Sequence, residues 1–284
     1  MKTKNAIITL TTIIMLTSII ISYATYTKTN TKPTELRVFI ASSLTHVTKD
    51  MITQFEKNHN IKIILNSDSS STLYTQITSG SPADVYMSAD QKWLTQLLTN
   101  NPRLLNNRYE NFTTNSLQII LAPNNPANIT SIADLTKPGV KIVLAAPSVP
   151  AGSYANKTIW KIDSTWGNLS SSKYITSGIY ENFNASIYQN VVSYENSVEQ
   201  IVGKVSLGIG IADAGIVFVS DGVYSTNTGA HVSFIEIPAE VNTRGTYSIG
   251  VVGSTQHSEL AQKFMDYWLS EAGKKLLTEY GFNS

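Results

Sequence analysis

Apolar positions fall into two alternating rhythms along most of the chain. Leu36 to Ile40 is a short apolar run, and Leu44, Val47, Met51 and Phe55 then recur every three to four residues before a second run at Ile61 to Leu65. That is the signature of a strand, a helix and a strand. Helical spacing returns at Leu73 to Ile77 and Trp93 to Leu98, and strands are predicted at Leu117 to Leu121 and, after the Pro138-Gly139 turn, at Val140 to Leu144. Val198, Ile201, Val202 and Val205 mark one helical face ahead of a buried strand at Gly215 to Val219. Strands at Val232 to Ile237 and Tyr247 to Val252 lead into a C-terminal helix whose apolar face is Leu260, Phe264, Tyr267 and Trp268. Continued alternation of helix and strand predicts an α/β protein.

The N-terminus follows a different rule. Lys2 and Lys4 precede an uncharged apolar run from Ala6 to Ala24, and polar sequence follows to Pro33. With no polar stripe to face water, the run does not fit a surface helix. It fits an export signal, with Ser22-Tyr23-Ala24 as a small-x-small cleavage site, or, at roughly 19 residues, an uncleaved membrane anchor. The folded part is expected to begin near Glu35 and to work outside the cytoplasm.

Composition narrows the chemistry. The 284 residues carry 21 Lys+Arg against 20 Asp+Glu, a net charge of +1, and only 14% are charged, against roughly 25% in an average soluble domain. A near-neutral chain with dispersed basic residues lacks the single-sign field that nucleic acid requires. The absence of cysteine excludes disulfides, thiolate catalysis and Cys-based zinc sites. His46, His59, His231 and His257 are too far apart for a local metal motif.

What remains are four places where a strand hands over to a helix, since exposed N–H groups at a helix start attract anions. These are Ala41-Ser42-Ser43-Leu44, Ser69-Ser70-Ser71-Thr72, Val149-Pro150-Ala151-Gly152 and Asn196-Ser197 before Val198. Helix capping alone explains any one of them. Ser43 and His46, one helical turn apart, raise the alternative of a hydrolase, but no G-x-S-x-G elbow or third group accompanies them. Asp84 and Asp90 would repel an anion and are expected to cap within their own lobe.

Taken in order, the stretches ASSLTHVTKDMITQFE (41–56), SDSSSTLYTQITSGSPADVYMSADQKW (67–93), NSLQIILAP (115–123), VPAGSYA (149–155), VSYENSVEQIVGKVSLG (192–208) and ADAGIVFVSDG (212–222) resemble the substrate-binding proteins of molybdate ABC transporters, over nearly all of residues 35–284. The resemblance implies a two-lobed periplasmic-binding-protein fold of type II with a hinged cleft, divided as 35–115 plus 248–284 for lobe I and 116–247 for lobe II, behind a 1–34 signal peptide or anchor with its linker. It implies no enzyme and no cofactor. The ligand would be a tetrahedral metal oxyanion, molybdate or tungstate, delivered to an ABC permease with its ATPase at the outer face of the membrane or in the periplasm.

Position by position, the resemblance makes Ser43 and Ser70 the two ligand serines and gives Ala151 and Val198 backbone donors. The Ser42/Ser43 assignment carries a one-residue alternative. The fifth family contact, a tyrosine hydroxyl, falls on Phe218, which has none; Tyr154 and Tyr247 are both available to replace it. About six or seven hydrogen bonds to a charged ligand, at roughly 1.5–3 kcal/mol each, would support sub-micromolar binding without any salt bridge. Ser70 is expected to matter to binding and little to folding.

Overall fold

The computed structural model describes residues 15–18, 33–99, 104–167, 180–227 and 232–283. The export or anchor run at Ala6 to Ala24, with its cleavage site, lies outside these residues apart from 15–18. The chain begins β1 (Thr34–Ala41), α1 (Thr45–His59), β2 (Ile61–Asp68), α2 (Ser70–Thr78), β3 (Val85–Ser88), α3 (Gln91–Thr99), β4 (Glu110–Asn115) and β5 (Leu117–Leu121). It continues through β6 (Ile142–Ala145), α4 (Pro150–Trp166), α5 (Phe183–Gln189), β7 (Val191–Glu195), α6 (Val198–Ser206), β8 (Ala214–Phe218) and α7 (Val219–Asn227). β9 (Ser233–Glu236), β10 (Gly245–Val251), α8 (Ser258–Leu269) and α9 (Glu271–Glu279) complete it.

The strands form two five-stranded sheets, ordered β2-β1-β3-β10-β4 and β7-β6-β8-β5-β9. In the first, β1 runs parallel to β2 and β3, whereas β10 is antiparallel to both β3 and β4. The second has the same mixture, with β6 parallel to β7 and β8 and β5 antiparallel to β8 and β9. Central strands such as Ile142–Ala145 are buried at every position, which is why they read as continuous apolar runs.

The chain passes between the sheets twice, from β4 into β5 and from β9 into β10. The sequence placed the second crossing at 247/248. All seven residues of β10 instead belong to the first sheet, because Gly245, Thr246 and Tyr247 already pair with Asn115, Thr114 and Thr113.

Two strand ends also differ from expectation. Val140 precedes β6, which starts only at Ile142 after the positive-φ turn at Gly139 (φ 88°). Val219 opens α7 rather than closing β8, since the Asp221 side chain accepts the Phe218 N–H (3.1 Å) and starts the helix there.

Helix starts follow local chemistry. The hydroxyls of Ser69 and Ser197 accept the backbone N–H groups of Thr72 and Gln200, and Pro150 occupies the first turn of α4, where its missing N–H is no loss. At the C-terminal helix, Phe264 and Trp268 are fully buried while Leu260 and Tyr267 are only partly covered.

Candidate functional site

Between the two sheets lies a small chamber lined by Ala41, Ser42, Ser43, Ser69, Ser70, Ala89, Val149, Pro150, Ala151, Val198 and Phe218. Its free space is about 10 Å³ by the centre of a water-sized sphere, about the room of one water molecule and far too little for a sugar or peptide. All five positions singled out from the sequence meet here. Ser43 and Ser70 come from the first sheet's connections, Ala151 and Val198 from the second's, and Phe218 from the end of its strand β8. Ser42 lines the wall beside Ser43, so the one-residue alternative does not move the site.

Three helix starts contribute to the walls. Ser70 opens α2, Ala151 follows Pro150 at the start of α4, and Val198 opens α6. First-turn N–H groups have no partner within their own helix, and aligned peptide dipoles make these ends electropositive. Three such ends border one space, an arrangement that favours an anion. None of the eleven lining side chains is ionisable, so the donors are neutral and persist at any working pH.

The serines are held in defined states. Ser70 Oγ accepts the Ala89 N–H at 3.0 Å, which leaves its own proton free for a ligand. This bond corrects the expectation that Ser70 matters little to folding: the hydroxyl satisfies a buried backbone donor. Ala89 and the Tyr86 hydroxyl, which donates to the Ser70 carbonyl (2.6 Å), were not read from the sequence as part of the site; the stretch that carries them entered only as part of the family resemblance. Ser43 Oγ lies 2.8 Å from the Tyr247 hydroxyl. His46 instead stacks on Tyr224, and among the described residues no basic side chain is hydrogen-bonded to Ser43 as a nucleophile's partner would be.

The two aspartates are structural. Asp84 accepts from the Arg37 N–H (2.6 Å) and the Thr255 hydroxyl (2.5 Å), and Asp90 accepts from the Lys92 N–H (2.7 Å) at the start of α3. Nearer the chamber, burial pushes the Asp221 carboxyl up to about 8, with the Phe218 N–H opposing and Glu199 adding to the rise. A carboxyl held neutral keeps a negative charge away from an incoming anion. Glu199, which accepts from the Thr45 hydroxyl across the cleft (3.1 Å), is also raised, first by burial and further by Asp68. Among the described residues no group of His, Cys, Asp and Glu could hold a metal ion, and no helix is long and apolar enough to cross a membrane.

Asp221 sets a pH dependence. Its folded-state pKa exceeds the unfolded value of about 3.9, so between there and about 8 the folded protein binds the extra proton and stability falls as pH rises. Asp221→Asn, which keeps the acceptor for Phe218, is expected to be more stable than the wild type at pH 8 and to show a flatter Tm profile from pH 5 to 8. Parallel profiles for the two proteins would exclude Asp221 as the source.

Comparison with known proteins places these features in context. The family model described as bacterial extracellular solute-binding protein matches residues 36–283. The Molybdate-binding protein ModA of Mycobacterium tuberculosis (strain ATCC 25618 / H37Rv) is 32% identical over 246 residues, covering 86% of this chain and 83% of that protein. A solved substrate binding domain of a putative molybdenum ABC transporter from Clostridium difficile superposes with a TM-score of 0.62 at 25% identity, over 88% of this chain and 99% of the other. The sulfate-binding protein SubI of M. tuberculosis H37Rv gives a TM-score of 0.73 at 16% identity, over 88% and 86%. That last likeness is one of fold alone.

Proposed function

Because the chain belongs to the bacterial extracellular solute-binding proteins, we propose that its chamber captures molybdate or tungstate outside the cytoplasm and surrenders it to an ABC permease driven by its ATPase. The family carries solutes and is not enzymatic, and nothing supports the hydrolase alternative. The observation that carries the reading is the convergence of three helix starts and two serine hydroxyls on one uncharged chamber.

Ser43 and Ser70 are proposed as hydroxyl donors to the oxyanion and Ala151 and Val198 as backbone donors, with the Phe218 ring closing one side. Such donors, each worth roughly 1.5–3 kcal/mol to a charged ligand, offset the desolvation of a dianion without a counter-charge. The two sheets act as lobes that close on the ligand about the crossings at β4–β5 and β9–β10. The N-terminal apolar run supports export and, if retained, tethering to the membrane.

The fold is shared with a sulfate-binding protein, so selectivity rests on the spacing of donors. Molybdate and tungstate, of similar size and charge, satisfy them alike, whereas smaller sulfate leaves some beyond hydrogen-bond reach. Calorimetric titration with molybdate, tungstate, sulfate and phosphate is expected to give sub-micromolar affinity for the first two and far weaker binding of the others. Heat with sulfate alone, or with no oxyanion, would overturn the reading.

A further inference from the structure

We propose that Tyr247 is a positioning residue for the oxyanion: its phenol donates to Ser43 Oγ, so that the serine's own proton points into the chamber. The inference rests on the oxyanion reading above and deepens it, because it accounts for the phenol that Phe218 lacks. Tyr247 belongs to β10, is fully buried, and does not line the chamber. Its hydroxyl reaches Ser43 Oγ at 2.8 Å, a contact in which either oxygen could donate.

The chemistry of the ligand fixes the direction. Were Ser43 the donor to Tyr247, it would turn only lone pairs toward a dianion, which is repulsive; with Tyr247 donating, Ser43 presents its proton. Burial lifts the phenol well above its ordinary range, so the donor stays protonated. Phe218 packs edge-on against the Tyr247 ring (centroids 5.6 Å, 67°) and fixes its plane. Tyr154, the other candidate replacement, packs its ring edge-on against Phe218 (centroids 6.3 Å, 66°) and does not line the chamber.

The test is a double-mutant cycle read by molybdate calorimetry on the wild type, Tyr247→Phe, Ser43→Ala and the double variant. Tyr247→Phe is expected to bind about tenfold more weakly, the size of one hydrogen bond in a charged network, and the double variant no more weakly than Ser43→Ala. That non-additivity is what a purely structural role would not produce. Wild-type affinity in Tyr247→Phe, or losses that multiply in the double variant, would overturn the relay while leaving the oxyanion reading standing. No molybdate binding by the wild type would overturn both. If Tyr247→Phe does not fold, the tyrosine ¹³Cζ resonances of wild type and Ser43→Ala read the same bond: a buried tyrosine resonance shifted in Ser43→Ala supports the relay, and an unchanged set overturns it.

Discussion

Gly152→Ala is expected to lower stability by about 3 kcal/mol and to remove most of the oxyanion affinity. Gly152 lies in the first turn of α4, directly against the end of β6. A Cβ there would stand 2.2 Å from the Ala146 carbonyl oxygen and 2.4 Å from that of Ala145. Both are backbone atoms, so no rotamer change relieves the overlap; the helix start itself must move. That displaces the neighbouring Ala151 N–H from the chamber, costing roughly a further 1.5–3 kcal/mol of binding. A thermal melt should show a fall of roughly 6–12 °C, and calorimetry should show binding weakened at least about tenfold. Gly203→Ala is the control, since Gly203 sits in α6 with open space at its Cβ and the change should slightly stabilise the helix. Equal melting temperatures for Gly152→Ala and wild type would show that the α4 start is not packed as described.

Ser70→Ala should weaken binding and folding through two different bonds. Loss of the hydroxyl proton removes one donor to a charged ligand, roughly 1.5–3 kcal/mol or about 10–100-fold in Kd. Loss of the oxygen strands the buried Ala89 N–H, now served at 3.0 Å, at roughly 1–3 kcal/mol of stability in the unliganded protein. Calorimetry and a melt without ligand separate the two. A variant with lower affinity and unchanged Tm would mean that Ala89 finds another partner, and unchanged affinity would remove Ser70 from the site.

Strands buried on both faces, such as Leu117–Leu121 and Ile142–Ala145, read most plainly from the sequence because continuous burial demands continuous apolar sequence, and the edge strands β2 and β9 were legible from the runs at Ile61–Leu65 and Val232–Ile237. β4 reads Glu-Asn-Phe-Thr-Thr-Asn and β7 exposes Val192 and Tyr194; both are edge strands, where pairing and not burial makes the strand. α7 escaped notice because it follows β8 with no intervening turn, its start marked by Asp221 inside the helix. Ser43, Ser70, Ala151 and Val198 were legible because helix starts advertise themselves locally, in serine, proline and small residues; Phe218, at the end of β8, was reached only through the family resemblance. What supports them was not. Ser43 meets Tyr247 from 204 residues away, and only the tertiary fold chooses between Tyr247 and Tyr154.

The place of β10 between β3 and β4 has a consequence for the order of assembly. β4 pairs with no other strand of its sheet, so from Asn115 until Gly245 has been synthesised and delivered it is an unsatisfied edge. The second sheet draws only on β5 to β9 and can close as soon as Glu236 is available. The first must wait for a late strand to enter its interior, a long-range pairing that carries the larger loop-closure entropy and is intrinsically slow. For a chain threaded out N-terminus first, the half that begins earliest therefore finishes last.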